Sequence, residues 1–123
     1  MTIEEMREPT FLLLTALAEG RQHGYALLQS VSALSNGRVR LRPGSLYGAL
    51  DRLAREGLVK ETGTEVVAGR HRRYYDLTET GVQALTVATQ RAAENAAAAR
   101  SALSRRLAAV PGPQTLGLAG GRA

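Results

Sequence analysis

Between positions 9 and 57 the chain shows three stretches of helical hydrophobic spacing, each closed by a glycine. Pro9 suits the first turn of a helix, and Phe11-Leu12-Leu13-Leu14-Thr15-Ala16-Leu17-Ala18 carries it towards Gly20 as a stop. Thr2 and Glu5 have capping-box spacing, but Pro9 biases Glu8 towards an extended conformation, so the later start is preferred. This first helix is apolar nearly all round and needs cover on more than one side, which a partner subunit would supply. A second helix fits His23 or Gly24 to Leu34, with Tyr25, Leu28 and Val31 on one face and Asn36-Gly37 ending it. Arg38-Val39-Arg40-Leu41-Arg42 alternates basic and apolar residues and reads as a short strand. Pro43 opens a third helix that runs to Glu56 and stops at Gly57, with Arg42 a poor residue for its N-cap.

Beyond Gly57 the pattern changes. Leu58 to Thr62 and Arg72 to Leu77 read as two strands of a hairpin, with its tip around Val67-Ala68-Gly69-Arg70-His71. On a strand Tyr74 and Tyr75 take opposite faces, one in the core and one on the surface. From Thr78 a long helix rich in Ala, Leu, Gln, Glu and Arg should reach about Ala109, where Pro111 and Pro113 end it. Residues 111–123 are rich in Gly and Pro, have little to bury and are expected to be a disordered tail. The order is helix, helix, short strand, helix, hairpin, long helix. That predicts a mainly α fold with a small β-hairpin: a winged helix-turn-helix domain over residues 1–77, then a C-terminal dimerisation helix over 78–110.

Composition narrows the function. A chain of 123 residues makes one domain plus an appendage, with little surface left for an elaborate active site. There is no cysteine, hence no disulfide framework, no thiolate metal site and no cysteine nucleophile. No run approaches the roughly 18 to 20 apolar residues of a membrane span. The acidic opening, Met1-Thr2-Ile3-Glu4-Glu5, lacks the positive charge that begins a secretory signal, so a cytoplasmic protein is expected. The two histidines, His23 and His71, lie far apart with no acid or nucleophile joining them. We therefore expect neither an enzyme nor a cofactor or metal. His23, beside Gly24 at a helix start, reads as a turn or cap residue.

The formal net charge is +5, and its location matters more than its size. Residues 38–73 hold nine Lys and Arg against four acids, whereas residues 1–37 carry a net −2 and residues 74–123 a net +2. The excess therefore sits in one central stretch, as a polyanion partner would require, although a solvated surface could look the same. Position decides. On a wheel of about 100° per residue, Leu46, Ala49, Leu50 and Leu53 of the third helix face the core. Gly44, Gly48, Asp51, Arg52 and Arg55 gather opposite, flanked by Ser45 and Tyr47. A face that is small at its start and basic further along would let the backbone approach the floor of a DNA major groove. Ser45 and Tyr47 would then reach phosphates, and Arg52 and Arg55 backbone or base edges. The hairpin adds Arg70, His71, Arg72 and Arg73, which on a wing would lie along a phosphate backbone or minor groove.

In the long helix Leu85, Ala88, Ala92, Ala96, Ala99, Leu103, Leu107 and Val110 follow at gaps of 3 or 4. Such a stripe beyond a compact domain needs a partner, and with Phe11 it forms the expected dimerisation surface.

Three blocks of these residues together resemble the PadR family of bacterial transcription regulators. They are Glu8-Pro9-Thr10-Phe11-Leu12 with Gly20-Arg21-Gln22-His23-Gly24-Tyr25; Gly44-Ser45-Leu46-Tyr47-Gly48-Ala49-Leu50 with Glu56-Gly57-Leu58; and Gly69-Arg70-His71-Arg72-Arg73-Tyr74-Tyr75 through Gly81. They stand in family order and spacing across about residues 8 to 81. The resemblance implies double-stranded DNA as partner, contacted by Ser45, Leu46, Tyr47 and the wing from Gly69 to Arg73. It also implies a homodimer through the C-terminal helix, and often repression relieved by a small hydrophobic inducer held between subunits. Family members commonly carry Pro where Gly48 stands. With no Trp and one Phe, an aromatic-stacking inducer pocket is not evident in this chain. The expected function is a ligand-responsive repressor on a palindromic operator, its recognition helices ~34 Å apart. A winged-helix module that binds protein instead would show no duplex affinity.

Overall fold

A computed structural model describes residues 6–109. Helix α1 spans Glu8–Ala18, strand β1 Gln22–His23, α2 Gly24–Leu34, α3 Pro43–Arg55, β2 Val59–Val67, β3 Arg70–Leu77 and α4 Glu79–Ala109. The three strands form one antiparallel sheet in the order β1-β3-β2. Helices with a small sheet whose long hairpin forms a wing constitute the winged-helix arrangement that the pattern predicts, and the long C-terminal helix is present.

Each helix starts and stops for a local reason. Pro9 occupies the first turn of α1, and Gly20 just beyond it takes φ +140°. α2 is capped by His23, whose Nδ1 accepts the Ala26 N–H at 3.3 Å, a structural role as expected. It ends where Asn36 and Gly37 turn left-handed and the Gly37 N–H returns to the Ser32 carbonyl at 2.7 Å. Arg42 at the N-cap of α3 makes no side-chain capping bond; Pro43 in its first turn removes one orphan donor, and Gly57 at φ +78° closes the far end. Thr78 starts α4 by accepting the Gly81 N–H at 2.9 Å, while its hydroxyl donates to the Gly57 carbonyl at 2.5 Å.

The core is built by Leu13, Leu14, Ala16 and Leu17 of α1, Leu27 and Val31 of α2, Leu46, Leu50 and Leu53 of α3, Val59 and Tyr75. Three expectations change here. First, α1 is covered largely by its own chain; Phe11 and Leu12 stay half-buried, so a partner has less of this helix to shield than its composition implies. Second, the inward face of α2 is Gly24, Leu27 and Val31, and Tyr25 is 63% exposed. Spacing explains it: gaps of 3 and 4 hold residues on one side of a helix, whereas 25, 28 and 31 at two gaps of 3 drift around it. Third, residues 38–42 are not a strand. Val39 and Leu41 do pack on the core, which accounts for the alternation, but the Val39 N–H bonds to the Ser35 Oγ at 2.9 Å rather than to a ladder. The short strand is Gln22–His23, paired with Tyr75 and Tyr74. Gln22 also ties it down, donating to the Ala16 carbonyl at 2.7 Å and accepting from Ser30 at 2.9 Å.

The chain divides into two compact units, one ending at Thr89 and the other beginning at Gln90. The first turns of α4 thus belong with the core, beyond the boundary at residue 77 expected from sequence. Ala84 and Ala88 are buried there and Leu85 packs against the core. In the second unit every residue from Gln90 to Ala109 is exposed in the single chain. Val110, the tail expected over 111–123 and the alternative start at Thr2 and Glu5 lie outside the described residues.

Candidate nucleic-acid interface

The exposed side of α3 is as bare as its sequence suggests. Gly44, Ser45, Gly48, Asp51 and Arg55 are exposed and Tyr47 is 37% exposed, while Leu46, Leu50 and Leu53 are fully buried. A Cβ added at Gly44 or Gly48 would meet nothing within 4 Å. Packing among the described residues therefore requires neither glycine, although a glycine inside a helix costs about 1 kcal/mol relative to alanine. Arg52, expected on this open face, is half-buried and reaches back to α1, its guanidinium 3.4 Å from the Thr10 Oγ1. Its long side chain joins two helices and is correspondingly less available to an outside ligand.

Tyr47 leans over the start of α2. A Cβ at Gly24 would collide with its hydroxyl and ring, which is why a glycine opens that helix. On its other side the Arg73 guanidinium lies 5.8 Å from the ring centroid, within cation–π range. Tyr47 thus connects α2, α3 and the wing.

The wing itself is long. β2 and β3 pair from Val59 opposite Leu77 out to Val67 opposite Arg70, with a register shift between Glu61 and Gly63. The tip is Ala68-Gly69, with φ of +52° and +78°, as a two-residue hairpin turn whose twist matches its strands requires. The four basic residues all follow that tip on β3, but they do not form one surface. Successive strand residues point to opposite faces, so His71 and Arg73 share the side of buried Tyr75, and Arg70 and Arg72 share that of Tyr74. The contacts agree. Arg73 approaches Tyr47, whereas Tyr74 carries the Arg21 guanidinium 4.1 Å from its centroid and the His23 ring edge-on at 5.4 Å. The Tyr74 hydroxyl donates to Glu65 at 3.0 Å. Burial holds the Tyr75 hydroxyl above the ordinary tyrosine value.

Not all of the central positive charge is free. Arg38 forks onto Glu8 at 2.8 and 2.7 Å, a pairing whose hydrogen bonds hold the Glu8 carboxyl below the usual carboxylate range. Arg73 stands 3.9 Å from Glu61 across the hairpin, an exposed pair too long to neutralise it fully. Between the wing and the starts of α2 and α3 lies a groove of about 380 Å³. Its walls include Tyr25, Leu28, Pro43 and Tyr47 on one side and residues 70–73 on the other. The structure places α3 beside the wing, and it adds Tyr25, to which the sequence reading gave no part in this surface.

Residues 13–87, which include the bare helix and the arginine-bearing wing, match the Transcriptional regulator PadR-like family. The chain belongs to that family. Among solved structures, a PadR family regulator from Clostridium difficile superposes with TM-score 0.67 at 22% identity, covering 79% of this chain and 99% of that one. A PadR-like regulator from Bacillus cereus gives 0.63 at 23% identity, over 76% and 88%. Bacillus subtilis PadR, solved in complex with operator DNA, gives 0.55 at 22% identity over 62% of this chain and 43% of that one. In sequence, 49 residues are 51% identical to a 37.1 kDa protein in transposon TN4556 of Streptomyces fradiae. This PadR-like chain covers 14% of that relative's length. Among the described residues no helix is long and apolar enough to cross a membrane, and no cluster of three metal-ligating side chains occurs.

Proposed function

We propose that this PadR-like regulator acts as a homodimer on a palindromic duplex operator and represses transcription by occupying it. Each α3 enters a major groove and each β2–β3 wing lies along the neighbouring backbone or minor groove. The observation that carries this reading is the pairing of a glycine-bared helix face with exposed Arg55, Arg70 and Arg73 on elements that Tyr47 holds together. No contact among the described residues calls for that bareness, and a close-lying polyanion does. The operator-bound state of Bacillus subtilis PadR supports the same partner. The dimer is formed by the α4 stripe from Ala92 through Ala96, Ala99 and Leu103 to Leu107, exposed in the single chain. A small hydrophobic inducer would act by changing how far apart the two heads stand, and no described cavity is assigned to it.

The test is a salt-titrated binding assay with duplex from upstream of the protein's own gene, against the variant with Arg70, Arg72 and Arg73 changed to Ala. Affinity should fall with salt by a log–log slope of about −0.9 per phosphate contact, and the variant should bind weakly with a shallower slope. No binding at low salt to this or to a random duplex would overturn the proposal and favour a protein partner.

A further inference from the structure

One exposed residue of α3 is out of keeping with a polyanion partner. Gly44, Gly48, Asp51 and Arg55 follow at gaps of 4, 3 and 4, so they form one row along the helix, and all four are exposed. Arg55 suits a polyanion. Asp51 does not, since phosphates repel a carboxylate brought among them. Nor does folding account for it. Aspartate is a weak helix former beyond the first turn, and among the described residues no hydrogen bond or ion pair engages this one. The Tyr75 hydroxyl, held up mainly by its burial, feels the Asp51 charge only as one of several lesser contributions.

We infer that Asp51 determines base specificity: its carboxylate accepts a hydrogen bond from the exocyclic amine of a cytosine in each half-site and rejects the other bases there. The inference rests on the proposed function and adds to it which base one side chain reads. A carboxylate can only accept. In the major groove guanine presents two acceptors, and thymine an acceptor beside a methyl, so neither can satisfy Asp51. Adenine offers a donor, but its N7 acceptor lies next to it. Cytosine offers its N4 amine and no acceptor. Reach supports the same assignment. Aspartate has a single methylene and touches a base edge only if the helix lies deep in the groove. Gly44 and Gly48 permit that depth on the same row, because nothing within 4 Å surrounds their missing Cβ atoms. Repulsion by the phosphates then serves selection, since it weakens binding wherever no donor meets the carboxylate.

The experiment compares wild type with Asp51→Ala and Asp51→Asn by fluorescence anisotropy at one salt concentration. The probes are the duplex from upstream of the gene, copies of it with each base pair of one half-site replaced in turn, and a random duplex of equal length. Because Asp51 is exposed, both variants should melt no lower than wild type, which is measured alongside. Wild type should lose about tenfold in affinity when one C·G pair is replaced. Asp51→Ala should lose that preference, keep those at other positions, and bind the random duplex at least as tightly as wild type. Asp51→Asn, whose amide can both accept from N6 and donate to N7 of adenine, should move the preference at the same position to A·T. Three proteins with one shared profile of base preference, or variants weakened equally on every duplex, would overturn the inference while leaving the proposed function standing. Wild type that binds neither the upstream nor the random duplex would overturn the proposed function itself, and the inference with it.

Discussion

The same substitution at two glycines should have opposite effects, because different neighbours surround them. Gly81, in the first turn of α4, lies against the residue that precedes β2, and a Cβ there would collide with the Leu58 carbonyl. Backbone cannot swing aside as a side chain can, so Gly81→Ala forces the helix outwards and should destabilise the fold by about 1–3 kcal/mol. Gly48 is in mid-helix with open space around its missing Cβ. Gly48→Ala relieves an entropic cost and should stabilise the isolated protein by up to about 1 kcal/mol, read as a rise in urea midpoint. The methyl also stands on the face assigned to the major groove, so duplex affinity should fall while stability rises. A variant that gains stability and keeps full affinity would show that α3 does not approach DNA through this point.

At the scale of elements, the wing separates charge from geometry. Arg70, His71, Arg72 and Arg73 are contiguous in sequence, and composition treats them as a single patch. The strand divides them, placing Arg73 beside Tyr47 and Arg72 on the opposite face with Tyr74. Arg73→Ala should therefore reduce operator affinity several-fold more than Arg72→Ala in the same anisotropy assay. Equal losses would mean that DNA wraps both faces of the hairpin. This is also where the limits of the sequence are clearest. Helices α1, α3 and α4, the hairpin and the caps at His23 and Thr78 were legible because each depends on local chemistry: a proline in the first turn, a left-handed glycine, a side chain reaching its own backbone. Strand β1 was not, since Gln22 and His23 become a strand only by meeting Tyr75 and Tyr74 some fifty residues away. Residues 38–42 carried the alternation of a strand but only one side of its requirements, a buried face without a ladder partner. Arg52 looked exposed on a wheel, which shows direction but not that Thr10 waits across the helix boundary. Tyr25 was misplaced for a plainer reason, two gaps of 3 accepted where a helix wants 3 and 4.

At the scale of the molecule, the proposed homodimer requires a surface that holds two recognition helices together. The stripe along α4 begins as core: Ala84 and Ala88 are buried and Leu85 packs inwards, so Leu85 and Ala88 are largely taken up by the chain's own fold. What remains for a second copy is Ala92, Ala96, Ala99, Leu103 and Leu107, the last 72% exposed. Three of these offer only a methyl, so most of the apolar area available there belongs to two leucines. Changing both Leu103 and Leu107 to Glu should therefore convert the proposed dimer to a monomer in sedimentation equilibrium. It should leave the melting of the winged domain nearly unchanged, because no residue from Gln90 to Ala109 is buried in the single chain. Operator affinity should drop by about 10²-fold or more towards that of a single half-site, since linkage of two heads and not any base contact is lost. A double variant that stays dimeric would direct attention to half-buried Phe11 and Leu12 or to Val82 and Val87, exposed apolar residues of α4 lying off the stripe. In that case the two heads would be joined close to their cores instead of along the far half of α4.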